Sequence, residues 1–159
     1  MAKNNATKEE VQIPSGITIT KTGTVLEVKG AKGALTKDFP NPTLTMNVSG
    51  GVVEILCPHV VHKTEKALIG TYKAHLRNMI KGVTIGYHYQ MKTVFSHFPI
   101  KTSVEGDQFV IQNFLGERFP RKAQILPGVK IDVKGDAVTV SGMDKENVGQ
   151  TAANIERAT

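Results

Sequence analysis

Pro14-Ser15-Gly16-Ile17-Thr18-Ile19-Thr20-Lys21-Thr22-Gly23-Thr24-Val25-Leu26-Glu27-Val28-Lys29-Gly30 has a counterpart more than a hundred residues later, Pro127-Gly128-Val129-Lys130-Ile131-Asp132-Val133-Lys134-Gly135-Asp136-Ala137-Val138-Thr139-Val140-Ser141-Gly142. Pro14, Gly16, Ile17, Ile19, Gly23, Val25, Val28 and Gly30 recur in order as Pro127, Gly128, Val129, Ile131, Gly135, Val138, Val140 and Gly142, with spacings that slip by a residue or two. A second match follows: Gly70, Ala74 and Leu76 correspond to Gly149, Ala153 and Ile155 at separations of four and two. Two matches in the same order indicate an internal duplication. Two copies are too few to stack into a solenoid core, so each must bury its own apolar face. The chain of 159 residues therefore divides into two lobes, residues 13–82 and 83–159, preceded by a polar, loose segment over 1–12. Lobes of this size lie near the lower limit for a self-sufficient core.

Outward from each quoted run the pattern is α+β. Short alternating stretches, Ile17–Thr20, Thr24–Lys29, Ala34–Phe39, Leu44–Val48 and Val52–Leu56, are punctuated by Gly and Pro and read as antiparallel strands joined by tight turns. Between Thr64 and Ile80 the period changes, and Leu68, Tyr72, Leu76 and Met79 make one apolar helix face that Lys81-Gly82 closes. The second half repeats the plan with strands over Val83–Val94, Ile100–Val104, Phe109–Phe114, Ala123–Leu126, Val129–Val133 and Ala137–Ser141. Its helix is N-capped by Asp144 and buries Val148, Ala152 and Ile155. The expected fold is two tandem duplicated lobes, each a small antiparallel sheet packed against one helix. Gly70 and Gly149 are expected to let each helix lie close to its sheet.

Charge separates the function classes. Twenty Lys and Arg against 14 Asp and Glu give a net charge of +6 and a pI near 9.5, which favours a polyanionic partner such as nucleic acid or an anionic membrane over a merely basic soluble protein. The excess is concentrated: Lys63 to Lys130 holds eleven cations against Glu65, Glu105, Asp107 and Glu117. A single cysteine excludes an internal disulfide, and the polar start Lys3, Asn4, Lys8, Glu9 does not resemble a signal peptide, so a cytosolic location is expected. No stretch approaches the roughly 20 apolar residues that span a bilayer.

Catalytic chemistry finds little support. Cys57-Pro58-His59-Val60-Val61-His62 is the nearest approach to a metal site, but zinc wants three or four converging protein ligands and no second Cys or His pair adjoins it. Carboxylates are scattered singly, no nucleophile elbow or phosphate loop occurs, and Gly30-Ala31-Lys32-Gly33 precedes a strand, not a helix. No cofactor, metal or small-molecule substrate is expected. Two clusters carry the alternative. Tyr87 to Lys101 combines rings, His88 and His97 with Lys92 and Lys101 and contains no acid. Asn113 to Lys122 holds Arg118, Arg121 and Lys122 beside glycine and proline bends. Cations neutralise phosphates and imidazoles reach sugar or base edges, so Lys92, His97, Lys101, Arg118, Arg121 and Lys122 are the candidate RNA contacts. Phe95 and Phe98 are assigned to core packing. Arg118, Arg121 and Lys122 are expected to be the principal phosphate anchors, because arginine forks hold phosphate bidentately.

These residues carry a family resemblance. Asn78-Met79-Ile80-Lys81-Gly82-Val83-Thr84, His97-Phe98-Pro99-Ile100, Asn113-Phe114-Leu115-Gly116-Glu117, Pro127-Gly128-Val129 and Gly142 to Ile155 are five ordered blocks by which the chain, from Ile13 to Thr159, resembles large-subunit ribosomal protein number six in its archaeal and eukaryotic branch. The resemblance implies a structural, non-enzymatic ribosomal component. It would bind large-subunit, 23S-type rRNA near the base of the lateral stalk and the sarcin–ricin loop, beside neighbouring large-subunit proteins and close to where translation factors dock. It also implies a basic C-terminal segment with an Asp-Gly-hydrophobic-Tyr pattern, before which this sequence stops. The rivals are an RNA-binding module outside the ribosome and a metal-dependent enzyme centred on Cys57, His59 and His62.

Overall fold

A computed structural model describes residues 7–40, 42–58 and 62–159. The chain separates into two units, Met1–Ile85 and Gly86–Thr159. The first contains β1 (Thr7–Gln12), β2 (Thr18–Thr22), β3 (Val25–Gly30), β4 (Gly33–Asp38), β5 (Thr45–Ser49), β6 (Val52–Cys57) and α1 (Lys63–Thr84). The second contains β7 (Tyr87–Lys92), β8 (Lys101–Glu105), β9 (Gln108–Gln112), β10 (Arg121–Gln124), β11 (Val129–Lys134), β12 (Ala137–Gly142) and α2 (Lys145–Arg157), with a 3-10 turn at Phe114–Gly116. Each unit carries two three-stranded antiparallel sheets, ordered β2-β3-β4 and β1-β6-β5, then β10-β9-β8 and β11-β12-β7. Counted along the chain, the second six strands pair as the first six do. The duplicated α+β architecture is the expected one, with two small sheets per lobe where one was expected.

The residues that revealed the duplication do not occupy corresponding places in it. The quoted runs are β2–β3 and β11–β12, whereas by element order the counterpart of β11–β12 is β5–β6, since each of these hairpins leads directly into a helix. The cause lies inside the lobe. Each sheet is a hairpin whose second strand also pairs with a third strand: β4 beside β2–β3, β1 beside β5–β6, β10 beside β8–β9, β7 beside β11–β12. Every lobe thus holds two hairpins of one pattern, and the sequence run matches across them. The helix match is in phase: Ile69, Tyr72 and Leu76 are buried on α1, and Val148, Thr151 and Ile155 on α2, at the offset that relates Gly70 to Gly149.

Thr7–Gln12 is a strand, not a loose segment; Met1 to Ala6 lie outside the described residues. Its polar composition hides a single apolar anchor, Val11, buried opposite Val53. Charges hold the rest. Lys8 Nζ lies 2.7 Å from Glu10 and 2.6 Å from Glu54 of β6, whose carboxylates raise its pKa to about 12. Glu9 accepts a hydrogen bond from Lys73 of α1, which lowers its pKa.

Helix α1 starts where the His62 N–H donates to Glu65 Oε2 at 2.9 Å, and α2 where Asp144 accepts from the Glu146 N–H at 2.9 Å, as expected of a cap. The first helix runs through Gly82 and includes Val83 and Thr84, which were expected to begin a strand; Gly82 is itself buried on the helix. The stop comes at Ile85, whose N–H donates to the Lys81 carbonyl, followed by Gly86 at φ 82°. Close helix–strand approach falls on strand glycines. A Cβ on Gly30 would sit 2.6 Å from Val83 Cγ2, and one on Gly142 would sit 2.7 Å from Val148 Cγ2. Nothing lies within 4 Å of a Cβ on Gly70, and only the Tyr89 hydroxyl, at 3.6 Å, near one on Gly149. The helix glycines therefore do not set the packing distance. The strand glycines do, and Gly30 brings the Lys32 N–H within 2.9 Å of the Val83 carbonyl at the helix end.

Candidate nucleic-acid interface

Sheet register gathers the two basic clusters. In the antiparallel order β10-β9-β8, the start of β8, the end of β9 and the start of β10 share one end of the sheet, with Lys101 opposite Gln112, Arg121 opposite Ile111 and Lys122 opposite Val110. The connection 93–100 therefore arrives where the connection 113–120 departs. Side chains join them. Asn113 Nδ2 donates to the Pro99 carbonyl at 3.0 Å, and the Phe98 ring lies 3.3 Å from the position of a Cβ on Gly116. Lys92 closes β7 opposite Ala137 and borders a cavity of about 270 Å³ in company with Val94, Ile100 and Phe114. His97 is exposed, its ring edge-on to Phe98 at 4.8 Å.

The six candidate residues divide into two kinds. Lys92, Lys101, Arg118 and Lys122 are exposed, and none makes an ion pair with a described residue. Arg121 is tied to its own loop and to the end of α2 by three of its five N–H donors. Its Nε and Nη2 donate to the two oxygens of Glu117 at 2.8 and 2.6 Å, its Nη1 donates to the Ala158 carbonyl at 3.0 Å, and its guanidinium lies 4.3 Å from the Phe114 ring centroid. The fork expected to grip phosphate thus grips the loop and the last turn of α2. Donation from Arg121 lowers the Glu117 pKa, and the same pairing raises that of Arg121. Arg121 neutralises the lone carboxylate between Gln108 and Ile131, and Gly86 to Val104 contains no acid. Counted along the sequence these two stretches hold no other carboxylate, while in space Glu156 borders the same cavity as Lys92.

The same two connections carry exposed apolar side chains. Phe95 and Phe98, assigned to the core on composition, are 42% and 43% exposed, and Val94, Leu115 and Phe119 are 77%, 71% and 86% exposed. The core of this unit is built instead from Phe109, Ile111, Val138, Val140, Val148 and Ile155. The sequence did hold a signal. Phe95-Ser96-His97-Phe98 and Phe119-Pro120 lack the alternation that places a ring on one sheet face, so none of the three phenylalanine rings is delivered to a core by a strand. The backbone of the second connection is also unusual: Asn113 and Leu115 have φ of 60° and 50°. Asn tolerates this left-handed region, whereas a leucine there is strained.

Of the residues of the zinc alternative, the structure describes two. Cys57 is the buried last residue of β6, His62 precedes α1, and His59 lies outside the described residues. Among the described residues no group of three or more His, Cys, Asp or Glu could hold a metal ion, and no helix is long and apolar enough to cross a membrane.

Comparison with known proteins adds the family. A family model described as Ribosomal protein L6 matches residues 13–86 and 98–159. A large ribosomal subunit protein uL6 from Methanospirillum hungatei is 50% identical over 149 residues, which is 94% of this chain and 84% of the relative. Its namesake from Methanobrevibacter smithii is 47% identical over 97% of this chain and 86% of the relative. One from Aeropyrum pernix is 45% identical over the whole chain and 87% of the relative.

Proposed function

The chain belongs to the ribosomal protein L6 family, and from that membership we propose that it is a structural constituent of the large ribosomal subunit, binding large-subunit rRNA in the cytoplasm. Its role is to hold RNA in place, not to catalyse. The observation that carries this reading is the family match along both halves, joined to four exposed cations of the second unit that make no ion pair with a described residue. Lys92, Lys101, Arg118 and Lys122 neutralise phosphates, His97 reaches a sugar or base edge, and Arg121 keeps the 113–120 connection in shape. The rigid sheets set the spacing of these groups, so the contact is positioned before RNA arrives and little ordering cost is left to binding. The finer location, near the base of the lateral stalk and the sarcin–ricin loop with neighbouring ribosomal proteins and translation factors close by, is supported by the five sequence blocks quoted above.

The test is binding of the purified protein to large-subunit rRNA as a function of salt, alongside co-sedimentation with large-subunit particles. Counterion release requires log affinity to fall linearly with log salt, with a slope of about 0.7 to 0.9 per phosphate neutralised. An affinity independent of salt, or a protein that stays off the particles, would overturn the reading.

A further inference from the structure

We infer that the second unit binds unpaired nucleobases of ribosomal RNA on an apolar platform contributed by its two connections, with Phe95, Phe98 and Leu115 lining one shallow pocket and Phe119 exposed further along the second connection. This rests on the ribosomal reading above and adds a second mode of contact, stacking, to the phosphate contacts of Lys92, Lys101, Arg118 and Lys122.

Three independent observations converge on it. The first is exposure. Phe119 is 86% exposed and Leu115 is 71% exposed, although nothing in the chain path prevents a polar residue at either position. The second is strain. Leu115 stands at φ 50° behind Asn113 at φ 60°, a conformation that costs a branched side chain free energy and persists only where surrounding contacts impose it. Those contacts are present: the Asn113 bond to the Pro99 carbonyl, the Phe98 ring against Gly116, and the Arg121 fork on Glu117 fasten the connection at both ends. The fastened loop points an apolar side chain outward. The third is charge. Lys92 and Lys101 flank residues 94–98 in the sequence and Arg118 and Lys122 flank Phe119, none of the four in an ion pair with a described residue, and the one carboxylate within residues 113–122, Glu117, is held by Arg121.

The charge decides the occupant. An apolar protein partner would have to desolvate Lys92, Lys101, Arg118 and Lys122 without gaining for them, whereas an RNA strand supplies phosphates to the cations and ring faces to the platform at once. Aromatic side chains stack on bases without regard to sequence, and Leu115 fits as a wedge against a base face exposed by unstacking. Double-stranded RNA buries its base faces, so the ligand is a loop, bulge or splayed end.

The test compares Phe119→Ala and Leu115→Ala with Arg118→Ala/Lys122→Ala in the full chain, reading affinity for purified large-subunit rRNA across a salt series and unfolding by circular dichroism. Loss of a stacked ring should weaken binding about tenfold at every salt concentration while leaving the slope of log affinity against log salt at the parent value. Loss of two cations should flatten that slope. Both exposed substitutions should melt with the parent, which keeps a folding defect from imitating the result. Parental affinity in Phe119→Ala and Leu115→Ala, with a flattened slope in the cation variant, would overturn the stacking platform and leave the phosphate contact standing. A parent that does not bind rRNA would overturn both. Weakened capture of another ribosomal protein by Phe119→Ala, with RNA affinity intact, would assign the platform to a protein and overturn the inference.

Discussion

Gly142→Ala should destabilise the second unit, and Gly149→Ala should not. At Gly142 a Cβ would meet Val148 Cγ2 at 2.7 Å and the Gly128 carbonyl oxygen at 2.9 Å, roughly an ångström inside the 3.5 to 4.0 Å optimum for carbon contacts. Neither neighbour can yield easily. Val148 is fully buried, a β-branched residue on a helix has essentially one χ1 rotamer, and the second contact is backbone. Strand β12 or helix α2 must therefore shift, at a cost of about 1 to 3 kcal/mol, or about 4 to 8 °C of Tm per kcal/mol for a unit of this size. Position 149 is the control: a Cβ there lies 3.6 Å from the Tyr89 hydroxyl, an ordinary contact, and alanine inside a helix is favoured over glycine by up to about 1 kcal/mol. Native-state hydrogen exchange at Val140 and Val148 localises the effect to this unit, and urea unfolding gives its size. A Gly142→Ala/Val148→Ala double variant should show favourable coupling, because removing Cγ2 relieves the overlap. An unchanged Gly142→Ala, or a Gly149→Ala variant less stable than Gly142→Ala, would refute strand-glycine control of the helix distance.

Deleting residues 1–12 should destabilise the first unit in urea, since it uncovers the β6 edge, the Val11 pocket and the carboxylate of Glu54; an unchanged midpoint would return that segment to a loose tail. Each of Lys92→Ala, Lys101→Ala, Arg118→Ala and Lys122→Ala should lower the salt slope of rRNA binding by about 0.7 to 0.9, the value for one lost phosphate contact, and a lysine whose loss leaves the slope unchanged is not a phosphate contact. Arg121→Ala should increase hydrogen exchange across 113–117 before it alters that slope; the reverse order would restore Arg121 to the phosphate anchors. Because donation from Arg121 holds the Glu117 carboxyl below the usual carboxylate range, the Glu117–Arg121 contribution is present above the unfolded pKa and is lost as pH falls through the folded one. Amide protection over 113–117 should thus decline in acid below the ordinary carboxylate range, and a Glu117→Gln variant should lose that pH dependence.

The duplication, the strand–helix alternation and both helix faces were legible because they rest on periodicity, which burial imposes locally. Strand β1 was not: its partner β6 lies some forty residues away and supplies backbone pairing and charges, while Val11 alone carries apolar content. The end of α1 was misplaced because a glycine inside a helix and a glycine after one look alike in sequence, and Gly82 packs where Gly86 turns. At the interface, residue types identified the clusters and register brought them together, but not which cation was committed elsewhere. Glu117 and Arg121 are four apart across a bend, and only the folded loop shows the fork closing on that carboxylate and on the Ala158 carbonyl. The exposed rings were missed for a related reason. Composition places phenylalanine in cores, and the left-handed turn that holds Leu115 outward has no sequence marker beyond Asn113.

Cryo-electron microscopy of large ribosomal subunits containing this chain would test the RNA-facing role of the second unit most directly, residue by residue. Lys92, Lys101, Arg118 and Lys122 should each lie within ion-pair reach of a phosphate, Phe119 should stack on an unpaired base, and Arg121 should remain on Glu117 and the end of α2. Density that leaves these four cations in solvent, or that covers the platform with protein and places RNA on another face, would contradict it.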